Sequence, residues 1–384
     1  MKKVVFFTHG KVNPYEESGM SRVVYYRAKY LKQFGVDVEI LSVWDRIKKP
    51  TDFVRDEFVT VKLFPRIFPS SEITGHPLLQ YIKENASNIA IVDFHLMWFY
   101  DKIPVARLLK KLNIPYVVST HGAYTQDRLK LKKFKKVPSF LIYERPFLNS
   151  ANGLIAQTPE ELTELRNLGV SSPIYLSSIG IDPKEIELGP SSLSFNPNKI
   201  KLAWVGNITP VKNLHNLIRA VGIMENDKRS KLELYLIGPQ NRDKKYFTFL
   251  KELVSYYKLE GTVTFLGPLY RKEKFSLLKE MDGYIHVSTS ETISLAALEA
   301  MAVGKPLIIS RTSEVAYLYK YSFFIMVEPW YDHIKWGIEY FMNLKEEERT
   351  AMGETARKVA HELFSWEKVV KEYLNILKNV GNFE

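Results

Sequence analysis

Two glutamates, Glu291 and Glu299, stand eight residues apart in the segment SETISLAALEAMAVGKPLIIS, which covers residues 290–310. From Leu295 to Val303 every residue except Glu299 is apolar, so a helix here has no solvent-facing side of its own. An ionised carboxylate buried in such a helix is costly unless a partner compensates it. Two kinds of partner are open: a Lys or Arg elsewhere in the chain, or uncharged hydroxyl groups of a bound ligand.

The residues around these glutamates suit a nucleotide sugar. Ser294 is a favourable N-cap residue, so the pattern predicts a helix that begins near it, after a strand over Tyr284–Ser288. Free N–H groups at Ser294, Leu295 and Ala296 would then bind a phosphate. Glu299 would accept hydrogen bonds from ribose hydroxyls, and Glu291 would accept them from the second sugar.

Short strand patterns alternate with amphipathic helix patterns along the first half of the chain. This alternation predicts βαβ units and a parallel sheet with helices on both faces. The predicted strands are Val4–Thr8, Val36–Ser42, Ile89–His95, Pro115–Thr120, Gly153–Thr158 and Pro173–Ser178. The clearest predicted helices are Ser21–Phe34, Lys102–Leu112, Ser139–Ser150 and Pro159–Leu168.

A second alternating series follows a segment rich in Pro, Ser and Asn. Its predicted strands are Leu202–Val205, Leu232–Ile237, Val263–Leu266, Tyr284–Ser288, Pro306–Ser310 and Phe324–Val327. We therefore predict two doubly wound α/β domains, over residues 1–183 and 200–364, with a linker over 184–199. A final helix within 365–384 is expected to pack back on the first domain. Ligands of such sheets bind beyond the carboxyl ends of the strands, so we expect the site in a cleft between the domains.

The spacing of the two glutamates resembles the donor-site signature of a known family. The pattern Glu-x7-Glu, followed by Ala-Met-Ala-x-Gly-x-Pro, covers Glu291–Pro306 and looks like that of the retaining nucleotide-sugar glycosyltransferases of family 4. Segments over 93–122, 205–213 and 364–374 agree with the same family in order and spacing. The resemblance implies the GT-B fold, in which two Rossmann-like parallel-sheet domains face each other across a cleft. The N-terminal domain would bind the acceptor and the C-terminal domain the donor.

The resemblance also implies roles for individual residues. Lys212 matches a lysine that contacts the donor diphosphate, and His121 matches a histidine that contacts the transferred sugar. His121, Lys212 and Glu291 are therefore the predicted catalytic residues, and His95 and His121 the predicted acceptor contacts. The predicted donor-binding residues are Lys212, Gly19, Gly206, Asn207, Ser294, Leu295 and Glu299. Plainer alternatives stay open: a surface lysine, structural histidines and a turn glycine.

One departure from the family pattern concerns the diphosphate. Asn207 stands where the family usually carries an arginine that makes a second cationic contact. Losing one charge-assisted contact weakens phosphate binding by about 1.5 to 3 kcal/mol if no other cation replaces it. Arg22 and Arg311 are candidates for that replacement. An alternative function therefore remains, a non-catalytic or weakened nucleotide-sugar binder.

The reaction that the resemblance implies is transfer of a hexosyl group with retained anomeric configuration. The donor would be a nucleotide diphosphate sugar, and the acceptor a hydroxyl of a glycan, a glycolipid or a small polar molecule.

No Asp-x-Asp pair occurs in the sequence, so we predict no metal requirement. No cofactor is expected, because the nucleotide sugar is a substrate. The absence of cysteine excludes disulfides and thiolate chemistry.

The formal net charge of +11 is concentrated in the first half, where residues 1–183 hold 26 basic and 18 acidic side chains. The densest basic run, residues 128–136, interleaves six cations with three apolar side chains. This pattern is typical of a solvated surface or of a segment that binds an anionic membrane. No nucleic-acid motif accompanies it.

The apolar run in MKKVVFFTHG is too short for a signal peptide. We therefore expect a cytoplasmic protein, with a peripheral position on the inner face of the cell membrane left open.

Overall fold

The structure of the 384-residue chain is a computed structural model. It describes residues 2–12, 19–54, 58–70, 75–125, 129, 133–182, 186, 189 and 193–383. The chain divides into two compact units. The first unit comprises Met1–Gly180 together with Trp366–Glu384, and the second comprises Ile181–Ser365.

An eight-stranded sheet organises the first unit, in the order β3-β4-β2-β1-β5-β6-β7-β8. Neighbouring strands are parallel except β3 and β4, which form an antiparallel edge pair. The strands are β1 (Lys3–His9), β2 (Val38–Val43), β3 (Thr51–Val54), β4 (Thr60–Phe64), β5 (Ile89–Phe94), β6 (Tyr116–Ser119), β7 (Gly153–Ala156) and β8 (Ile174–Leu176). Strand β5 is buried along its whole length, as expected when helices cover both faces of a parallel sheet.

The helices of the first unit include one at the end of the chain. They are α1 (Gly19–Gln33), α2 (Pro77–Glu84), α3 (Lys102–Lys111), α4 (Lys133–Ser139), α5 (Arg145–Asn149), α6 (Pro159–Asn167) and α14 (Trp366–Val380), with a 3-10 turn at Ala86–Asn88 and a π-helical segment at Phe140–Glu144. Helix α14 packs against α1 through buried Trp366, whose ring stacks on those of Tyr26 and Tyr30.

A six-stranded parallel sheet organises the second unit, in the order β11-β10-β9-β12-β13-β14. Its strands are β9 (Ile200–Val205), β10 (Leu232–Ile237), β11 (Val263–Gly267), β12 (Gly283–His286), β13 (Leu307–Ser310) and β14 (Phe324–Val327). Its helices are α7 (Leu214–Gly222), α8 (Asn226–Arg229), α9 (Lys244–Tyr256), α10 (Arg271–Glu280), α11 (Leu295–Ala302), α12 (Tyr331–Asn343) and α13 (Glu346–Phe364), with 3-10 segments at Pro210–Lys212 and Glu314–Tyr321.

Each sheet has one place where the order of its strands reverses. In the first unit this place lies between β1 and β5, and in the second between β9 and β12. Doubly wound sheets bind ligands in the crevice outside the carboxyl ends of such strands. His95 directly follows β5, and His286 ends β12. Polar side chains therefore stand at the expected place in both units.

The predicted fold class is confirmed, and the predicted strands match observed ones to within a few residues. Two differences concern the first unit. Strands β3 and β4 were not predicted, because their four and five residues are too few for a strand pattern to stand out from a loop. The predicted helix over Ser139–Ser150 is helical up to Asn149, but it is not one α-helix: α4 ends at Ser139, a π-helical segment covers Phe140–Glu144, and α5 covers Arg145–Asn149. Pro146 has no N–H to bond the carbonyl four residues earlier, and the backbone makes a wider π turn just before α5.

Candidate functional site

A lysine, a glutamate and a histidine meet where the strand order reverses in the second unit. Lys212 ends the 3-10 segment that follows β9, and its Nζ pairs with Glu291 Oε2. The same carboxylate oxygen lies 3.5 Å from His286 Nε2. The side chains of Lys212 and Glu291 remain 18% and 14% exposed. Two of the predicted catalytic residues are thus neighbours, and an anion that approached Lys212 would compete with Glu291.

Asn213 holds the Lys212 turn in place. Its backbone is left-handed, with φ of 61°, a conformation that asparagine tolerates better than most residues. Its fully buried amide Nδ2 donates to Val287 O at 3.0 Å and to Pro329 O at 2.8 Å. These bonds fasten the turn to the chain segments that follow β12 and β14. The sequence signal for this role was an Asn directly after the predicted phosphate-binding lysine.

His286 was not singled out in the sequence. It is buried, and its Nε2 lies 3.1 Å from Ser288 Oγ. Burial and the nearby charge of Lys212 hold the pKa of His286 well below its usual value. A neutral imidazole therefore stands beside the pair of Lys212 and Glu291. His286 lies in the middle of the predicted strand Tyr284–Ser288, so a position at a strand end, which marked His95 and His121, did not mark it. The observed strand ends at His286, two residues earlier than predicted.

The loop between β12 and α11 is hydrogen-bonded to the segment that directly follows β13. The Glu291 N–H donates to Thr312 O at 3.3 Å, and Thr312 Oγ1 donates to Ser288 O at 2.5 Å. Ser294 Oγ accepts a hydrogen bond from the Ala297 N–H at 3.3 Å. The predicted helix start at Ser294 is therefore confirmed. Leu295 is the first helical residue, and the first-turn N–H groups lie at the carboxyl end of β12.

Glu299 has a cation as partner. Lys274, on α10, places its Nζ 2.7 Å from Glu299 Oε2, and both side chains are buried. Of the two partners that the sequence left open, the structure shows the charged one. Ribose hydroxyls are therefore not needed to compensate the buried Glu299 carboxylate, because Lys274 supplies the opposite charge. A contact between Glu299 and a donor remains a prediction.

The remaining donor-side residues lie just after β9. Gly206 approaches the neighbouring loop closely, since a Cβ at Gly238 would lie only 1.8 Å from Gly206 O. Asn207 follows Gly206 and is half-buried. Its neutral amide does not supply the positive charge of the arginine that the family pattern has at this position. Arg311 is a candidate replacement, but its Nε pairs with Glu328 Oε1 at 2.8 Å on the surface. Replacement of the missing charge by Arg311 or Arg22 remains a prediction.

Two predicted histidines of the first unit are hydrogen-bonded to each other. His95 Nδ1 lies 2.8 Å from His121 Nε2, and His121 Nδ1 lies 2.8 Å from the amide Nε2 of Gln157. An amide nitrogen only donates, so His121 Nδ1 must accept. A neutral His121 then carries its hydrogen at Nε2 and donates it to His95. Any sugar hydroxyl that contacts His121 must take the place of one of these partners.

A buried carboxylate lies behind the histidine pair. Asp93 accepts hydrogen bonds from the Ser119 N–H at 3.0 Å, from Ser119 Oγ at 2.8 Å and from the Tyr373 hydroxyl at 2.5 Å. Its Oδ2 also lies 3.3 Å from His95 Nε2, although without the alignment of a hydrogen bond. Arg27 donates to Ser119 Oγ and stacks over the Tyr373 ring. Asp93 therefore connects helix α14, through Tyr373, with the histidine pair.

The protonation of this cluster follows from its burial. Burial, together with the nearby charge of Arg27, holds the pKa of His121 well below its usual value. Burial alone would raise the pKa of Asp93, but His95, Arg27 and the Tyr373 hydroxyl bond together hold it below its usual range. His121 is therefore neutral near pH 7, beside an ionised Asp93. A neutral imidazole can both donate and accept, as binding a sugar hydroxyl requires.

Two further predictions meet the structure only in part. Gly19 begins α1, and a Cβ there would meet no atom within 4 Å, so its described surroundings do not demand a glycine. Residues 128 and 130–132 of the basic run over 128–136 lie outside the described residues, but Phe134 is described and is 95% exposed. Across the described residues, no helix is long and apolar enough to cross a membrane. The same residues contain no cluster of three or more histidines or carboxylates that could hold a metal ion.

Two Rossmann-like α/β units, each with a polar cluster at its strand-order reversal, define the GT-B class of fold. Residues 18–185 match Glycosyltransferase Family 4, and residues 186–359 match Glycosyl transferases group 1. The chain therefore belongs to the family 4 glycosyltransferases, and the two matches together span residues 18–359.

The chain is similar to one relative in sequence and to two solved structures in fold. An uncharacterised glycosyltransferase of Methanocaldococcus jannaschii is 29% identical over 48% of this chain and 46% of its own length, so the chain spans about half of that relative. Sucrose-phosphate synthase from Thermosynechococcus elongatus superimposes with a TM-score of 0.79 at 16% identity, covering 98% of this chain and 99% of that one. HepE of Anabaena, solved in complex with UDP-glucose, superimposes with a TM-score of 0.74 at 16% identity over 98% and 99% of the two chains.

Proposed function

We propose that this glycosyltransferase moves a hexosyl group from a nucleotide diphosphate sugar to a hydroxyl acceptor, with the anomeric configuration retained. A single observation carries the proposal. Lys212 and Glu291 meet at the strand-order reversal of the second unit, directly before a capped helix that begins at Leu295. A cation and free helix N–H groups suit a diphosphate, and the carboxylate suits sugar hydroxyls. HepE, a structural neighbour, was solved with UDP-glucose, which supports this class of donor.

The proposed chemistry needs few protein groups. The bond between the anomeric carbon and the diphosphate oxygen breaks, and a bond between that carbon and the acceptor oxygen forms on the same face. The acceptor proton passes to the departing diphosphate oxygen. Lys212 and the first-turn N–H groups of α11 would stabilise the negative charge that develops there. Glu291 would turn from Lys212 to the sugar hydroxyls, and His121 would hold a further hydroxyl.

The test is a panel of UDP-, GDP- and ADP-sugars incubated with glycan, glycolipid and small polyol acceptors. We expect free nucleoside diphosphate only when an acceptor is present, which separates transfer from epimerisation or phosphorolysis. The one-bond carbon–proton NMR coupling at the new anomeric centre reports the configuration. Release without an acceptor, or an inverted product, would contradict the proposal.

We propose that no metal and no cofactor take part. The cationic Lys212 would neutralise the diphosphate charge that a divalent ion neutralises in other transferases. Assays with a chelator, and with added magnesium or manganese, test this point. Unchanged turnover is expected in each, and loss of turnover in the chelator would overturn the prediction.

A second candidate function is nucleotide-sugar binding without turnover. Asn207 favours it, because a neutral amide replaces a cationic contact, and Lys212 is already paired with Glu291. Calorimetry with UDP-, GDP- and ADP-glucose separates the candidates. Tight binding without product across the acceptor panel would favour the binder over the transferase.

We also propose that the first unit acts at the inner surface of a cell membrane, with a lipid-linked acceptor. Four exposed apolar side chains lie within the basic run or shortly after it. They are Phe134, Leu141, Ile142 and Tyr143. Exposed apolar side chains next to cations favour contact with anionic lipid. Flotation with vesicles of neutral lipid, with and without anionic phosphatidylglycerol, tests this. Binding should need the anionic lipid and fall for Ile142→Ser, but not for the exposed control Tyr256→Ser in the second unit.

A further inference from the structure

Glu161 is a buried carboxylate in the first turn of α6 whose oxygens are occupied by three donors. Its Oε1 accepts from Thr120 Oγ1 at 2.5 Å and from the Gly122 N–H at 2.6 Å. Its Oε2 accepts from the Gln157 N–H at 2.7 Å. The Glu161 N–H in turn donates to Thr158 Oγ1, the N-cap of the helix. Glu161 is thus held by its helix while it binds two other segments.

The residue between Thr120 and Gly122 is His121. Its φ is +50°, in the left-handed region that is unfavourable for a residue with a Cβ. Such a conformation persists only where the surroundings fix it. Glu161 bonds to the residue on either side of His121, so one carboxylate fixes the backbone at this position.

The same carboxylate fixes the partner of the imidazole. Gln157 is bound to Glu161 through its backbone N–H, while its side-chain amide lies 2.8 Å from His121 Nδ1. The His121 backbone and the residue that determines its tautomer therefore depend on one side chain. The neighbouring Glu160, also in the first turn of α6, is exposed and offers a matched control.

We propose that Glu161 is the positioning residue of His121, holding Nδ1 toward Gln157 and the Nε2 hydrogen toward His95. The orientation of the His121 ring can be measured in the protein without substrate. The effect of that orientation on turnover rests on the proposed function, in which His121 contacts the transferred sugar. The proposal therefore has one test without substrate and one with it.

The first test is NMR of protein selectively labelled with 15N-histidine. The His121 ring signals are assigned by their loss in His121→Asn. In the wild type, and in Glu160→Gln, we expect one neutral tautomer with hydrogen at Nε2. In Glu161→Ala the signals should shift toward mixed tautomers, and Glu161→Gln, which keeps one carbonyl acceptor, should be intermediate. Unchanged His121 signals in folded Glu161→Ala would overturn the proposal and leave Glu161 a purely structural helix cap.

The second test is the steady-state kinetics of the same variants. We expect Glu161→Ala to lower kcat by up to about 100-fold, because a displaced catalytic contact costs that order of rate. Glu161→Gln should recover part of the loss, and Glu160→Gln should match the wild type. Equal kcat in folded Glu161→Ala and the wild type would overturn the proposal. A wild type without turnover would instead overturn the proposed function, and the NMR comparison would still decide the role of Glu161.

Discussion

Lys274 Nζ lies 2.7 Å from Glu299 Oε2, and this buried pair joins helix α10 to helix α11. Glu299 is therefore stable in an apolar helix without any ligand. A buried ion pair of this kind contributes little compared with a well-packed apolar pair, whereas loss of one partner leaves an uncompensated charge. The structural role of the pair and a role in donor binding can be separated by mutation.

Replacing one partner is expected to destabilise the second unit more than replacing both. Lys274→Met leaves the Glu299 carboxylate buried without its cation and should cost about 3 to 5 kcal/mol. Adding Glu299→Gln should restore part of this loss, since no buried charge then remains. Urea denaturation of the two single variants and the double variant measures the coupling. Additive losses would contradict a direct interaction.

The same variants test whether Glu299 binds the donor. If its carboxylate holds ribose hydroxyls, the double variant should be folded and yet bind UDP more weakly than the wild type. Each hydrogen bond to a charged group is worth about 1.5 to 3 kcal/mol, so a loss of at least tenfold in affinity is expected. Calorimetry with UDP measures it. Unchanged affinity in the stable double variant would assign Glu299 to structure alone.

Lys212 is expected to contribute far more to turnover than to folding. Its partner Glu291 is partly exposed, so Lys212→Ala leaves a carboxylate that water can reach. The variant should fold normally but lose about 10²- to 10³-fold in kcat, the usual result of removing one group that stabilises a leaving oxyanion. Lys212→Arg should keep part of the activity. The exposed Lys244, in the first turn of α9, provides the control Lys244→Ala. A similar loss in that control would show that general charge matters rather than Lys212.

How much the sequence could predict depended on how local each signal was. Apart from β3 and β4, the strands and the start of α11 at Ser294 follow from neighbouring residues, and they were predicted closely. The partner of Glu299 could not be predicted, because Lys274 comes from a different helix 25 residues earlier. Glu161 was missed for a similar reason. It resembles an ordinary helix-cap glutamate, and only the fold brings it to the loop that carries His121.

The buried histidines should make the protein less stable in acid. Burial holds the pKa of both His286 and His121 below the ordinary value of 6.5. As the pH falls through about 6.5, the unfolded chain takes up protons that the folded chain does not, so the free energy of unfolding falls. Each histidine contributes at most about 1.4 kcal/mol per pH unit. Urea denaturation of the wild type and His286→Asn at about pH 7 and about pH 5.5 checks this. The variant should lose less stability on acidification, and an equal or larger loss would contradict the assignment.

The hydroxyl of Tyr373 should couple helix α14 to the histidine pair. Tyr373→Phe removes the donor that lies 2.5 Å from Asp93, while the ring can still stack with Arg27. We expect a loss of about 1.5 to 3 kcal/mol, the usual value for a hydrogen bond to a charged group, because Asp93 is fully buried. Hydrogen exchange should show faster opening of α14 together with strands β5 and β6, which carry Asp93 and Ser119. The exposed Tyr143 gives the control Tyr143→Phe, in which exchange should not change. If α14 alone opened faster in Tyr373→Phe, the helix would be held by its apolar face, and Asp93 would not transmit its docking to His95.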